Sequence, residues 1–459
     1  MIQRIQRYRE TVIRILRHKD THRKALAFAA RWHQPWLAAR ILSTMPTPLP
    51  LPSNTRKSSQ RGRVLVLNSG KDEFFRDIEE IFRHDEAFEL IAWPHYALPA
   101  MAETLLDQSL KHDTYVTKDP QIERSKARYR DFLRRMWRHH QKISRIDAVI
   151  SANFGYCFQR ELAFALEACG TPFLVVQKEN LNAATEERRR VWESIYRHGR
   201  GPFGGRKIFV YNEMERDLEL SSGIAGPNTV EITGMPRLDR LHRWRRQNAG
   251  TSGDSGTTKI LFFSFARSDK IPFESGVGKN WGEFCAETHR AMIDFARENP
   301  QVEVVAKTKG ITRQDEELLQ LLGADDAPCP GNLHVVSGGD AFSLIAESQV
   351  VVGFNTSGLL EALALGKPVI VPNFGEALDP VLRKFVIDLG EAVEYANSPR
   401  QLKDMISQHA GRRLVTSERL GPHVEKILKY WVGNDDGEAG RRAYAAILRE
   451  VTRKPAPAQ

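Results

Sequence analysis

Short, continuous apolar runs recur along the chain, each giving way to a small or polar turn and then to apolar positions at helical spacing. Val64–Asn68 (VLVLN) ends in Ser69–Gly70; Phe74, Phe75, Ile78, Ile81 and Phe82 then mark one face of a helix, and Phe88–Trp93 is the next run. A run apolar on both faces and bounded by turn residues reads as a strand of a buried parallel sheet. The same rhythm predicts strands at Asp147–Ser151, Phe173–Gln177, Lys207–Tyr211 and Val230–Thr233, with helices at Arg124–Arg145 and Phe158–Cys169. A Gly/Ser/Thr-rich loop, Asn248–Thr258, interrupts it. The rhythm then restarts with strands at Lys259–Phe263, Val302–Ala306, Leu333–Val336, Val350–Gly353 and Val369–Pro372, and helices at Phe284–Glu298, Asp315–Leu322, Ala341–Ala346 and Ser357–Leu365.

Strand–helix alternation of this kind predicts an α/β fold, here two tandem Rossmann-like, doubly wound parallel-sheet domains with a cleft between them. The expected bounds are a basic helical arm and linker (1–60), an N-terminal domain (61–246), a flexible loop (247–258), a C-terminal domain (259–415), and C-terminal helices (416–459) that cross back to the first domain. Ligands of such sheets bind outside the carboxyl ends of the strands.

Charge changes the picture at one end only. The net charge of the 459 residues is +10. Residues 1–60 hold twelve Lys/Arg against Glu10 and Asp20, which is +10, so the remainder sums to zero. A neutral body with a basic head seeks an anionic surface. Ile2, Ile5, Val12, Ile13 and Leu16 approximate one helical face, and a second apolar stretch, Ala25 to Leu42, carries Trp32 and Trp36. Basic amphipathic helices with tryptophan lie in membrane interfaces. The alternatives are a solvated arm packed on the body and, ranked last, a nucleic-acid contact. Arg124–Arg145 is a second basic stretch, with Phe132 and Trp137 among its arginines, and Pro46–Pro52 with Ser53–Gln60 reads as linker. The four cysteines lie far apart without a CxxC pair, and neither a transmembrane run nor a signal-peptide core is present. These features point to a cytoplasmic protein, peripheral on the inner face of the membrane, and away from a disulfide scaffold or zinc ribbon.

The candidate chemistry is densest in Val350–Pro372 (VVVGFNTSGLLEALALGKPVIVP). Asn355, Thr356 and Ser357 are N-cap residue types after a strand, and Gly358 would let a ligand approach the backbone. Free N–H groups at a helix start attract phosphate. Glu361 lies one turn deeper, where a carboxylate would accept from a ribose diol. An ordinary capped strand–helix–strand unit remains the alternative.

This segment resembles the donor-site motif of GT-B glycosyltransferases: a Ser/Thr/Gly turn, then Glu-Ala, then Gly-x-Pro-Val. Tyr211–Leu241, with YNEMERDLELSSGI and VEITGMPRLDRL, is similar to the crossover motif of bacterial surface-polysaccharide transferases, including capsule-export and CDP-glycerol transferase relatives. The resemblance spans roughly residues 61–415. It implies a metal-independent GT-B enzyme with no cofactor besides a nucleotide-sugar co-substrate, acting on a saccharide or lipid-linked acceptor at an anionic membrane surface. It also implies a phosphate turn at Thr356, Ser357 and Gly358 and a ribose carboxylate at Glu361. Lys307 and Lys309, in AKTKG, stand where many relatives carry a Lys-Pro-His-Pro segment, and with Arg267 they are the candidate diphosphate cations. Surface salt bridges are the alternative role for Arg267 and Lys307.

Sugar transfer with inversion needs a base for the acceptor hydroxyl. Candidates sit where first-half strands end: Glu179 in VVQKEN first, then Asp72 in SGKDEF and His95 in WPHY, with Asn153 in SANFGY at a fourth such end; a nonreactive ion pair with Lys178 or a nearby arginine is the alternative role for Glu179. No metal-ligand cluster is expected, since His139–His140 has no carboxylate or Cys partners nearby in sequence and no Asp-x-Asp is present. The expected activity is transfer of a sugar from a nucleotide donor to a surface polysaccharide or glycolipid. The alternatives are polyol-phosphate transfer from a CDP-activated donor, a nucleotide-sugar 2-epimerase, and a GT-B scaffold without activity.

Overall fold

The computed structural model describes residues 20–49, 62–67, 72–83, 85, 87–178, 181, 183–251, 258–269, 271, 276–310, 318, 320, 329–412 and 415–452. Residues 1–19 of the expected arm, the polar linker, most of the 248–258 loop, most of the helix expected at 315–322, and Glu179 lie outside the described residues.

Two sheets build the molecule, parallel but for one edge strand of the first, as the expected α/β architecture of two tandem Rossmann-like halves requires. Before the first comes a helical hairpin, α1 (20–31) and α2 (Pro35–Ser43), folded back at His33, whose φ is +48°. The apolar stretch Ala25 to Leu42 is therefore two helices. Part of the expected linker is a strand: β1 (Thr47–Pro48) pairs antiparallel with Ile91 and Ala92.

The first sheet comprises β2 (Gly62–Leu67), β3 (Phe88–Trp93), β4 (Ala148–Ser151), β5 (Phe173–Val176), β6 (Lys207–Val210) and β7 (Val230–Ile232), in the order β1-β3-β2-β4-β5-β6-β7. Among its helices are α3 (Asp72–Ile81), α4 (Ala97–Leu105), α5 (Pro120–Ile143), α6 (Cys157–Glu167), α7 (Glu186–Ser194) and α8 (Glu213–Ser221). Helix α5 starts four residues before Arg124. Asp119 caps it by accepting from Gln121 N at 2.7 Å, and Pro120 fits a first-turn position that needs no N–H. Tyr129, Phe132, Leu133, Met136, Trp137 and His140 form its buried stripe. Phe132 and Trp137 thus belong to the core, which corrects their expected place among surface arginines.

After α9 (Asp239–Gln247) the second sheet comprises β8 (Thr258–Phe263), β9 (Val302–Thr308), β10 (Leu333–Ser337), β11 (Val350–Gly353), β12 (Val369–Pro372) and β13 (Glu394–Ala396). Its order is β10-β9-β8-β11-β12-β13, parallel throughout. Its helices are α10 (Gly282–Glu298), α11 (Phe342–Glu347), α12 (Gly358–Ala364) and α13 (Pro399–Ala410). Helix α14 (Pro422–Val432) packs on α12, and α15 (Ala439–Thr452) returns to the first sheet, burying Ala443, Ala446 and Ile447 with Val64, Val66 and Phe74. Asp239 pins that return, accepting from Gly440 N at 2.7 Å, Ala439 N at 3.1 Å and Asn434 Nδ2 at 2.7 Å. Burial outweighs those bonds and pushes its carboxyl up to about 7.

Candidate functional site

Strand order in the second sheet reverses between β8 and β11, and such a switch point opens a crevice at the strands' carboxyl ends. A cleft of about 350 Å³ lies there, lined by Ser264 after β8, Lys307 to Lys309 at the end of β9, Gly338 and Gly339 after β10, and Thr356 to Gly358 with Glu361 after β11. Arg76 of α3 and Arg237 reach it from the first half. Four cations therefore face one small volume.

Each cation is held in place. Lys307 is buried, and its Nζ donates to Gly338 O at 2.6 Å. Lys309 Nζ lies 3.4 Å from Asp269. Arg237 is buried and donates from its backbone N and from Nη1 to Asp77, both at 2.9 Å, and from Nη1 to the Tyr211 hydroxyl at 2.8 Å. Tyr211 in turn donates to Asp77 at 2.7 Å. Burial drives the Tyr211 phenol well above its ordinary range, so it stays a neutral donor. Among the described residues Arg237 Nε makes no hydrogen bond, and it stands 3.9 Å from Glu361 Oε1. Burial raises the Glu361 carboxyl, while Arg237, Arg240 and Arg76 pull it back.

Asp340 stands between the lining residues Gly339 and Ala341. It accepts from Arg240 at 2.7 and 2.9 Å and pairs with Arg76 at 2.9 Å, tying the loop after β10 to the first half. Burial alone would raise its carboxyl; the arginines and the Phe342 N–H hold it below the usual range.

Of the sequence candidates, Lys307, Lys309, Thr356, Ser357, Gly358 and Glu361 share this cleft. Arg267 is exposed on the loop after β8 and is not among the lining residues. Two details of the turn differ from expectation, and a third adds a packing role. Asn355 does not cap α12: with φ +49° it donates to Phe385 O at 3.0 Å and accepts from Ile387 N at 2.8 Å, bracing the loop after β12. Ser357 occupies the N-cap position without a side-chain cap bond. At Gly358 an added Cβ would come within 2.7 Å of the Phe263 ring, so close packing on β8 demands the glycine there.

Of Glu179, Asp72 and His95 only the His95 side chain is described, and it does not line this cleft. Asp72 opens α3, its side chain outside the described residues, as Glu179 is. His95 is exposed and lines a hollow of about 150 Å³ with Trp93, Tyr156 and Phe158. That hollow sits at the carboxyl ends of β2, β3 and β4, where the first sheet's order reverses.

Sequence reasoning missed Arg76, Arg237, Asp77 and Asp340. One signal was present: Asp77 shares the inner face of α3 with Phe74, Ile78 and Ile81, and a carboxylate on an apolar face calls for a buried cation. Ser264 was also passed over. Its Oγ lies 2.9 Å from His289 Nε2, and His289 Nδ1 lies 2.6 Å from Cys285 O. A carbonyl only accepts, so Nδ1 carries the proton and Nε2 accepts from Ser264. Burial pushes His289 down to about 4 and keeps it neutral.

A larger cavity, about 1100 Å³, lies where α8, the loop after β12 and α14 meet, walled by Met214, Val386, Ile427, Tyr430 and Trp431. None of the candidate residues lines it.

Comparison with protein-family models found no match, and comparison with curated proteins found none. Among solved structures, a UDP-N-acetylglucosamine 2-epimerase is similar over 87% of this chain and 99% of its own, with 13% identity and a TM-score of 0.48. The UDP-GlcNAc 2-epimerase of Neisseria meningitidis, bound to UDP-GlcNAc, covers 85% of this chain and 100% of its own at 12% identity and TM-score 0.44. The wall teichoic acid polymerase TagF covers 96% and 98% at 10% identity and TM-score 0.45. Each is a low-identity likeness of fold, and the chemistry of this chain stands on its own residues.

Proposed function

We propose that the cleft binds the diphosphate of a nucleotide-activated sugar and that the protein is a glycosyltransferase, moving that sugar to a saccharide or lipid-linked acceptor at an anionic membrane surface. The observation that carries this reading is the convergence of Arg76, Arg237, Lys307 and Lys309 on one cleft at a topological switch point. Cations aimed at a leaving diphosphate stabilise the charge that develops as the glycosidic bond breaks. Glu361, with Arg237 beside it, offers a carboxylate to the ribose diol. The acceptor enters from the first sheet's side, where the His95 hollow opens, and Glu179, Asp72 or His95 takes its hydroxyl proton. The enzyme works in the cytoplasm, peripheral on the membrane.

The test is calorimetric titration of the full chain with UDP, CDP, GDP and the corresponding nucleosides. A diphosphate is expected to bind and its nucleoside to bind at least about tenfold more weakly, since charge-assisted bonds are the strong ones. Equal affinity for both removes the phosphate site. Incubation of the matching nucleotide sugar without acceptor then separates transfer from epimerisation, which needs none.

A further inference from the structure

We propose that the α1–α2 hairpin is the part of the molecule that seats on an anionic bilayer, with Phe28, Trp32 and Trp36 entering the interface. The proposal deepens the reading above and rests on it only for the acceptor's location, since none of these residues lines the cleft.

The hairpin distributes its apolar residues the wrong way round for a protein surrounded by water. Leu26, Ala29, Ala30, Ala38, Ala39 and Leu42 are fully buried in the core that holds α5, while Phe28, Trp32 and Trp36 are 55%, 63% and 54% exposed. Aromatic side chains bury the most area of any, so core packing alone would favour the opposite choice. The three rings are also organised. Phe28 and Trp32, one turn apart, have centroids 6.2 Å apart. Trp36 Nε1 donates to Gln34 Oε1 at 2.8 Å, and Gln34 Nε2 donates to Trp32 O at 3.1 Å, which ties the second indole to the backbone at the end of α1. Rigid aromatic rings with a satisfied polar edge suit the boundary between headgroups and acyl chains.

Charge selects the occupant. Lys24, Arg31 and Arg40 are exposed and form no ion pair among the described residues, whereas Arg23 pairs with Glu103 at 2.9 Å. The preceding residues 1–19 add Arg4, Arg7, Arg9, Arg14, Arg17 and Lys19 against Glu10. Helix α5, on which α2 packs, exposes Arg124, Arg128, Arg138 and Lys142, while Arg135 pairs with Asp131 at 2.8 Å. Exposed aromatic rings need an apolar phase and this charge needs an anionic one; a bilayer rich in acidic lipids supplies both. Among the described residues no helix is long and apolar enough to cross a membrane, so the contact proposed is with one leaflet.

The experiment is co-sedimentation of the full chain with phosphatidylglycerol–phosphatidylcholine vesicles and with pure phosphatidylcholine vesicles, beside nucleotide titration of the same samples. Wild type is expected to bind the anionic vesicles and to release them as salt rises. Phe28→Ser/Trp32→Ser/Trp36→Ser is expected to bind them at least about tenfold more weakly, with an unchanged melting temperature and unchanged nucleotide affinity. Brominated lipids should quench wild-type tryptophan emission, and quench Trp32→Phe/Trp36→Phe far less. Equal binding to both vesicle types, or undiminished binding of the triple variant, overturns the proposal. So do a wild-type dimer that the triple variant dissolves, indoles at 32 and 36 shielded from acrylamide without vesicles, and tighter binding to duplex nucleic acid than to vesicles. Vesicle binding in a wild type that ignores nucleotides would instead overturn the cleft's proposed function and leave the docking surface standing.

Discussion

Arg237 Nε stands 3.9 Å from Glu361 Oε1, just beyond hydrogen-bond reach, with one residue carried by the first half and the other by the second. Arg237 Nη1 is committed to Asp77 and Tyr211. The arginine is thus anchored on one side and has a hydrogen-bond donor unused on the side that faces the cleft.

The anchor itself is the first prediction. Asp77 and Arg237 are both buried, and removing one partner of a buried pair leaves an uncompensated charge. Arg237→Met should lower stability by about 3–5 kcal/mol in urea unfolding. The double variant Asp77→Asn/Arg237→Met should recover part of that loss, because no naked carboxylate remains. A mild effect for the single variant would show that water reaches Asp77.

Glu361→Ala should weaken binding of the preferred nucleotide by roughly 1.5–3 kcal/mol, if its carboxylate accepts from the ribose. Its deoxy-ribose counterpart should lose little further, since the acceptor is already gone. A folded Glu361→Ala protein with wild-type affinity would leave the carboxylate a role only in the interdomain charge cluster.

Asp340 competes with an anion in the cleft for Arg76, which lines it, and also holds Arg240. Its pairs are partly exposed, so each is worth no more than about 1 kcal/mol. Asp340→Asn should therefore tighten nucleoside diphosphate binding by up to about fivefold and steepen its salt dependence. Weaker binding would mean that Asp340 positions the arginines instead of occupying them.

What the sequence discloses and what it hides follow from physics. Continuous apolar runs such as Val350–Gly353 and Val369–Pro372 are legible because a parallel strand is buried on both faces. The three-residue β13 is too short and too polar to carry that signature. Lys307 and Thr356 are legible because they stand at or just past the ends of such strands, and Glu361 because it lies one helical turn beyond that point. Arg237 and Arg76 are not, because only the return of the first half over the second sheet brings them to the cleft. Trp137 was legible in principle: Tyr129, Phe132, Leu133, Met136, Trp137 and His140 repeat every three or four residues opposite the arginines of α5. The exposure of Phe28, Trp32 and Trp36 was not, since an apolar stretch does not say which of its faces is covered.

His289 gives a pH prediction with a fixed sign. Burial lowers its imidazole to about 4, whereas the unfolded chain takes up the proton near 6.5. Between those values the unfolded state binds more protons, so this residue's contribution to stability is full above pH 6.5 and is lost as pH falls toward 4. His140 and His242 act in the same direction, and the raised carboxyls of Asp239 and Glu219 act against it. Only a difference isolates His289. The stability gap between wild type and His289→Gln should shrink by up to about 1.4 kcal/mol per pH unit on acidification through that window. A gap independent of pH would mean that the imidazole takes up its proton equally in the folded and unfolded states.

Gly358 separates packing from ligand approach. Because an added Cβ would lie 2.7 Å from the Phe263 ring, Gly358→Ala must push that ring or the start of α12 aside. Overpacking of this kind costs about 1–3 kcal/mol. If the glycine is there for packing, Phe263→Leu, which removes the ring, should restore much of the loss when combined with Gly358→Ala, even though Phe263→Leu alone destabilises. The two changes would then be strongly coupled in a double-mutant cycle, as residues in contact are. If it is there to admit a phosphate to the backbone, Gly358→Ala should keep its melting temperature, lose nucleotide affinity, and gain nothing from Phe263→Leu. Thermal unfolding and nucleotide titration of the four proteins distinguish the two, and the contact with Phe263 favours the first.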